Sequence, residues 1–205
     1  AYPAHPVTAP LFLHKMSRRQ IRQYQRRERI SLGAGDVIVC VDESGSTESD
    51  DKDAWAKAIT YALVDKVGGQ GRCASVIHFS SASEVSEDLF IPGQYTPEDV
   101  MNSARHFYCG GTDYEAPLRK AVSTMDSGVL SKADIVFITD GQCSISSEFQ
   151  DWLCSKLSEH HASVTGVLLD SGNNFEFSLK GFCKTIYRTS ELTPSEILSE
   201  LVLLR

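Results

Sequence analysis

The stretch VIVCVDESGSTESDD, Val37 to Asp51, decides how this chain is read. An unbroken apolar run drives straight up to an acid, Asp42. Ser44 and Ser46 follow at alternate positions, with Gly45 between them. A short continuous apolar run bounded by turn residues reads as a strand covered on both faces. A carboxylate at the end of such a strand leaves water at a cost and needs a partner.

Outward from this stretch, strand-like and helix-like segments take turns. DAWAKAITYALVDKV places Trp55, Ile59, Ala62, Leu63 and Val67 at helical spacing. RCASVIHFS reads as a second buried strand and SEVSEDLF as a short edge strand. TPEDVMNSARHF opens a helix, with Thr96 as cap, Pro97 at the first helical position and two acids in the first turn. YEAPLRKAVSTM is a further helix, and ADIVFITD a second fully apolar strand that also ends in an acid, Asp140. A helix over SISSEFQDWLCSKLSEHH, strands at ASVTGVLLD and FCKTIYRT, and a helix capped by Thr193 and Pro194 complete the pattern. Alternation of this kind predicts an α/β fold: a doubly wound, mostly parallel central sheet flanked by helices, with one short antiparallel edge strand. Ligands of such sheets sit beyond the carboxyl ends of the strands, where strand order reverses. Asp42 and Asp140 should both lie on that edge.

Three readings compete for the opening stretch. Ser44, Ser46 and Asp50 could cap the next helix, which leaves Asp42 unexplained. Asp42 could accept a phosphoryl group, as in haloacid-dehalogenase-like phosphatases, but those place a second acid where this chain has Ser44. A serine elbow is absent because Glu43 precedes Ser44, and there is no phosphate-binding P-loop. The third reading is a divalent metal site. Carboxylate and hydroxyl oxygens are hard ligands that suit Mg²⁺ or Mn²⁺ over zinc. The D-x-S-x-S spacing lets one loop turn three oxygens inward, with Gly45 easing the turn. A metal site needs ligands from elsewhere too. CGGTDYEAP offers Thr112 at the mouth of a helix, and VFITDG offers Asp140 at a strand end.

Asp42-Glu43-Ser44-Gly45-Ser46, Thr112 and Asp140, in that order on an alternating chain, resemble the metal-ion-dependent adhesion site of the von Willebrand factor A (VWA) domain. The resemblance covers residues 36 to 205. It implies a metal, expected to be Mg²⁺ with Mn²⁺ or Ca²⁺ as substitutes, bound by Asp42, Ser44, Ser46, Thr112 and Asp140, directly or through water. It also implies an open coordination position for a partner's Asp or Glu, and no catalysis by the chain itself. IVCVDESGS, WAKAITYAL and FYCGGTDYEAPLRKA are similar to intracellular bacterial VWA proteins that work with MoxR-type AAA+ ATPases. That similarity implies an adaptor in the cytoplasm. Thr47 stands where Met is common in the family, and the following ESDD is unusually acidic. Glu43 and Asp113 are expected next to the partner surface, although Asp113 also reads as a helix cap and Glu43 as merely exposed. His78 reads as a satisfied core histidine, and Cys109 and Cys143 as packing residues beside the metal loops.

Bulk properties fit a soluble globular chain. Of 205 residues, 41% are hydrophobic and 23% charged, with a formal net charge of −7. The charge is uneven. Seven of the 20 basic residues fall between Lys15 and Arg29 beside a single acid, Glu28, leaving 13 basic and 26 acidic residues elsewhere. Residues 1–13 read as an extended lead, or residues added for expression, because Pro3, Pro6 and Pro10 disfavour helix. Residues 14–35 read as a basic helical arm and linker, and 36–205 as the VWA domain. The arm, at residues 14–30, could instead hold nucleic acid with the body as scaffold. None of the six cysteines forms a C-x-x-C pair, so zinc spacing is absent and reduced thiols are expected. No run reaches the roughly 18 apolar residues of a membrane helix.

Overall fold

The computed structural model describes residues 35–130, 132–141, 143–169 and 178–202. The expected extended lead (1–13) and all but the last residue of the expected basic arm and linker (14–35) lie outside the described residues. In chain order the elements are β1 (Val37–Asp42), α1 (Lys52–Gly68), β2 (Ala74–Phe79), β3 (Val85–Phe90), α2 (Pro97–Arg105), α3 (Glu115–Asp126), β4 (Asp134–Thr139), α4 (Ser147–His160), β5 (Val164–Leu168), β6 (Thr185–Arg188) and α5 (Pro194–Leu201).

Every residue of β1, β2 and β4 is buried. The reason is visible in the alternation along each strand. Ile38, Cys40, Ile77, Phe79, Ile135 and Phe137 face one way, into a cluster with Leu118 and Val122 of α3 and Leu153 of α4. Val37, Val39, Val41, Val76, Val136 and Ile138 face the other way, into a cluster with Ile59 and Leu63 of α1 and Ile197 and Leu201 of α5. Each such side chain contributes about 1.5–3 kcal/mol when fully buried, so a polar residue on either face would be costly.

The strands form one sheet in the order β3-β2-β1-β4-β5-β6. All neighbours run parallel except β2 and β3, which pair antiparallel with Val76 opposite Asp88. β3 is the edge strand expected from SEVSEDLF, and of its residues only Phe90 is buried. From β1 the chain moves outward through β2 to β3, then returns to the other side of β1 to lay down β4, β5 and β6. The reversal falls between β1 and β4, so the carboxyl ends of those two strands border the crevice where ligands bind in such sheets.

The helix starts follow the sequence. Thr96 and Thr193 each complete a capping box, with Asp99 and Glu196 respectively, and each is followed by Pro. One element was not foreseen: Gly45–Asp51 winds into a 3-10 helix between β1 and α1. It ends in two left-handed residues, Asp50 (φ +58°) and Asp51 (φ +56°), a conformation that short acidic side chains tolerate better than most. All six cysteines are free.

Candidate metal centre

Asp42, the last residue of β1, has no solvent-exposed surface. Its two oxygens are oriented separately. Oδ1 accepts the Ser44 backbone N–H at 3.0 Å. Oδ2 accepts the Thr139 hydroxyl at 2.6 Å. Thr139 closes β4 and is itself placed by two neighbours: the Gly141 N–H reaches its Oγ1 at 3.1 Å, and the Tyr114 hydroxyl lies 2.9 Å away. A carboxylate offers about four lone-pair sites, so these bonds leave capacity for a cation.

The serines do not cap. Ser44 precedes the 3-10 helix and Asp51 precedes α1, and neither makes a side-chain cap bond. Instead the Ser44 and Ser46 hydroxyls lie 3.1 Å from each other. Thr47, in place of the common Met, is buried and donates its hydroxyl to the Ser44 carbonyl at 2.7 Å, holding the serine loop from below.

Asp140 follows β4 and is 2% exposed. β1 and β4 pair in register up to Val41 opposite Ile138, which brings both acids to the same sheet edge. The Lys52 ammonium, at the start of α1, sits 3.7 Å from Asp140 Oδ2. Burial pushes the Asp42 carboxyl up to about 6; hydrogen bonds from Ser44 and Thr139 oppose the shift, and the Asp140 charge adds to it. Two buried acids side by side are a standing demand for positive charge.

Thr112 is half-buried in the loop before α3. That loop is laced to the serine loop through backbone bonds. Cys109 N donates to Glu43 O at 2.9 Å, Gly45 N to Gly110 O at 3.0 Å, and Ser44 pairs with Gly110 as an isolated parallel bridge. Gly110 and Gly111 allow a close approach to β2, where Ser80 Oγ accepts from Gly110 N at 2.9 Å and donates to Gly111 O at 2.8 Å. Thr112 is therefore carried on the edge that holds Asp42, Ser44, Ser46 and Asp140. The donor set is oxygen only, part anionic and part neutral, and this fits Mg²⁺, which keeps waters and accepts few protein ligands.

One surface expectation needs correction. Glu43 is not exposed toward a partner but fully buried, because the alternation of β1 continues through it and turns its carboxylate toward His78 and His106. Asp113 accepts the Glu115 N–H at 2.8 Å, which is the cap reading. His78 is buried and hydrogen-bonded, as expected of a satisfied core histidine. Cys109 is exposed rather than packed, with φ at +59°. Thr139 and Tyr114, which orient Asp42, were not picked out in advance; the Thr of T-D-G was the available signal.

Residues 37–142 match the family model for the von Willebrand factor type A domain. An uncharacterised protein of Methanocaldococcus jannaschii, MJ0077, is 27% identical over 170 residues, covering 82% of this chain and 42% of its own length. The chain thus spans less than half of that relative. Among solved structures, an aerotolerance-related membrane protein from Bacteroides fragilis superposes with a TM-score of 0.63 at 16% identity, over 82% of this chain and 96% of that one. The proximal thread matrix protein 1 of the mussel byssus superposes with a TM-score of 0.61 at 20% identity, over 82% of this chain and 47% of that one. Among the described residues, no helix is long and apolar enough to cross a membrane.

Proposed function

This chain belongs to the von Willebrand factor type A domain family, whose members typically mediate protein interactions, and from that premise we propose that it is a metal-dependent protein-binding module. The carrying observation is the buried, pre-oriented carboxylate of Asp42 beside the paired Ser44 and Ser46 hydroxyls, at the one sheet position where strand order reverses.

Asp42, Ser44, Ser46, Thr112 and Asp140 would hold Mg²⁺. The bound ion would supply an electrophilic position that accepts a carboxylate oxygen from a partner's Asp or Glu. The chain's own contribution is orientation. Thr139 and the Ser44 amide fix Asp42, the Gly110 bridge holds the serine loop against the threonine loop, and neutral serine hydroxyls leave the site cationic enough to attract an acid. The role we propose is binding rather than catalysis, in the cytoplasm as an adaptor for a MoxR-type AAA+ ATPase.

The immobilised protein should capture its partner from a cell extract in Mg²⁺ and release it in EDTA, and Ser44→Ala/Ser46→Ala should capture nothing in either buffer. Capture that survives EDTA and the double substitution would contradict the proposal. If residues 14–30 bind nucleic acid instead, binding should weaken steeply with salt and vanish when those residues are deleted.

A further inference from the structure

On the far side of the Asp42 loop, Glu43 stands between two imidazoles. Its Oε1 lies 2.7 Å from His78 Nδ1, and its Oε2 lies 2.7 Å from His106 Nδ1. One ligand atom from each residue lies within 4.8 Å of the other two. The residues come from three separate segments: the turn after β1, the interior of β2, and the segment after α2. We propose that Glu43, His78 and His106 form a second metal centre, selective for Zn²⁺ and distinct from the oxygen site on the sheet edge.

The donor chemistry is the first argument. Two imidazoles and one carboxylate make a borderline-soft set that suits Zn²⁺, and three protein ligands with a fourth position for water are a recurrent zinc arrangement. Mg²⁺ prefers oxygen alone, so the two centres would sort their ions by ligand type. In a tetrahedral zinc shell neighbouring donors lie about 3.3 Å apart, so each 2.7 Å contact would lengthen by about 0.6 Å as the ion enters. His106, with 34% of its side chain exposed, gives access from solvent, whereas Glu43 and His78 are closed off at 0% and 1%.

Surroundings of His78 supply the second argument. Its Nε2 lies 3.0 Å from Ser103 Oγ and 3.3 Å from Asp88 Oδ2. The Tyr61 hydroxyl donates to Ser103 Oγ at 2.8 Å. Both ring nitrogens therefore face carboxylates, Glu43 on one side and Asp88 on the other. An ion at Nδ1 would leave Nε2 facing Asp88 and Ser103. A carboxylate behind a ligating histidine is the usual outer support of a metal-bound imidazole. Lys57 does not take the ion's place. Its ammonium is 3.9 Å from Glu43 Oε1 and is engaged instead by His106 O at 2.6 Å and Asp53 Oδ1 at 3.2 Å.

Such a centre would tie the turn after β1 to the segment that leads into the Thr112 loop. It would stabilise the fold whether or not Mg²⁺ is bound.

The test is a titration of Zn²⁺ into chelator-stripped protein in saturating Mg²⁺, by calorimetry, with Co²⁺ absorption spectra to report the ligand set. One equivalent should bind. His106→Ala, at a partly exposed position, should weaken binding by more than about a hundredfold. Asp88→Asn should weaken it by about 10- to 100-fold with the stoichiometry kept, as loss of an outer support does. Ser44→Ala/Ser46→Ala should bind Zn²⁺ like the wild type, which separates this centre from the Mg²⁺ site. Three results would overturn the proposal: no saturable uptake by wild type that is folded by circular dichroism, uptake unchanged in His106→Ala, or thiolate charge-transfer bands in the Co²⁺ spectrum, which would place the ion on cysteines.

Discussion

Asp42 and Lys52 set the charge balance of the sheet edge. Lys52 Nζ, 3.7 Å from Asp140 Oδ2, supplies positive charge where a divalent ion would stand. Ammonium and metal repel, so Lys52→Gln should tighten Mg²⁺ binding by about three- to tenfold, on the order of 1 kcal/mol for a partly solvated pair. Calorimetry reads this directly, and unchanged or weaker binding would contradict it. Asp42 makes a pH prediction. Its folded-state value of about 6 stands above the ordinary 3.8, so the folded protein holds the proton more tightly. The resulting stability is complete below about pH 4 and is lost as pH rises through about 6, with an amplitude on the order of 3 kcal/mol. In EDTA, the denaturant midpoint of the wild type should fall across that window more than that of Asp42→Asn. Mg²⁺ should flatten the wild-type slope at neutral pH. Identical profiles for the two proteins would refute the assignment.

At the scale of elements, the strands and helices were legible because their signals are local. VIVCV and IVFI are apolar at every position since helices cover both faces of the sheet, and Thr96-Pro97 and Thr193-Pro194 announce helix starts through bonds made within one turn. The Asp42, Ser44 and Ser46 part of the candidate site was legible for the same reason: one short loop carries it. The 3-10 segment over Gly45–Asp51 was not legible, because it has no apolar period and kinks at extended Ser49 and left-handed Asp50 and Asp51. Glu43, His78 and His106 were not legible as a group either. No spacing links them, and only the pairing of β1 with β2 and the packing of the segment after α2 bring them together. The lacing of the two ligand loops is likewise tertiary. A Cβ at Gly110 would collide with the Glu84 carboxylate and lie 2.7 Å from Ser80 Oγ, which already bonds Gly110 N and Gly111 O. Gly110→Ala should therefore cost about 1–3 kcal/mol. It should lower the melting temperature by about 2–4 °C for each kcal/mol and weaken Mg²⁺ binding by displacing Thr112. A thermal scan and a titration check both effects, and wild-type values in the two would count against the lacing.

For the whole molecule, charge and topology point the same way. The chain outside Lys15–Arg29 carries 26 acids against 13 bases, a balance that favours cations. The sheet order places its two buried terminal acids together at the reversal point, an arrangement that local sequence alone suggests but that only the return of the chain from β3 to β4 produces. The most direct measurement is a Mg²⁺ titration by calorimetry, at near-physiological salt, of the wild type and Ser44→Ala/Ser46→Ala. Saturable binding of one Mg²⁺ by the wild type and none by the double variant is the expected result. Equal binding by both, or no binding by a folded wild type, would contradict a metal-dependent site at this edge.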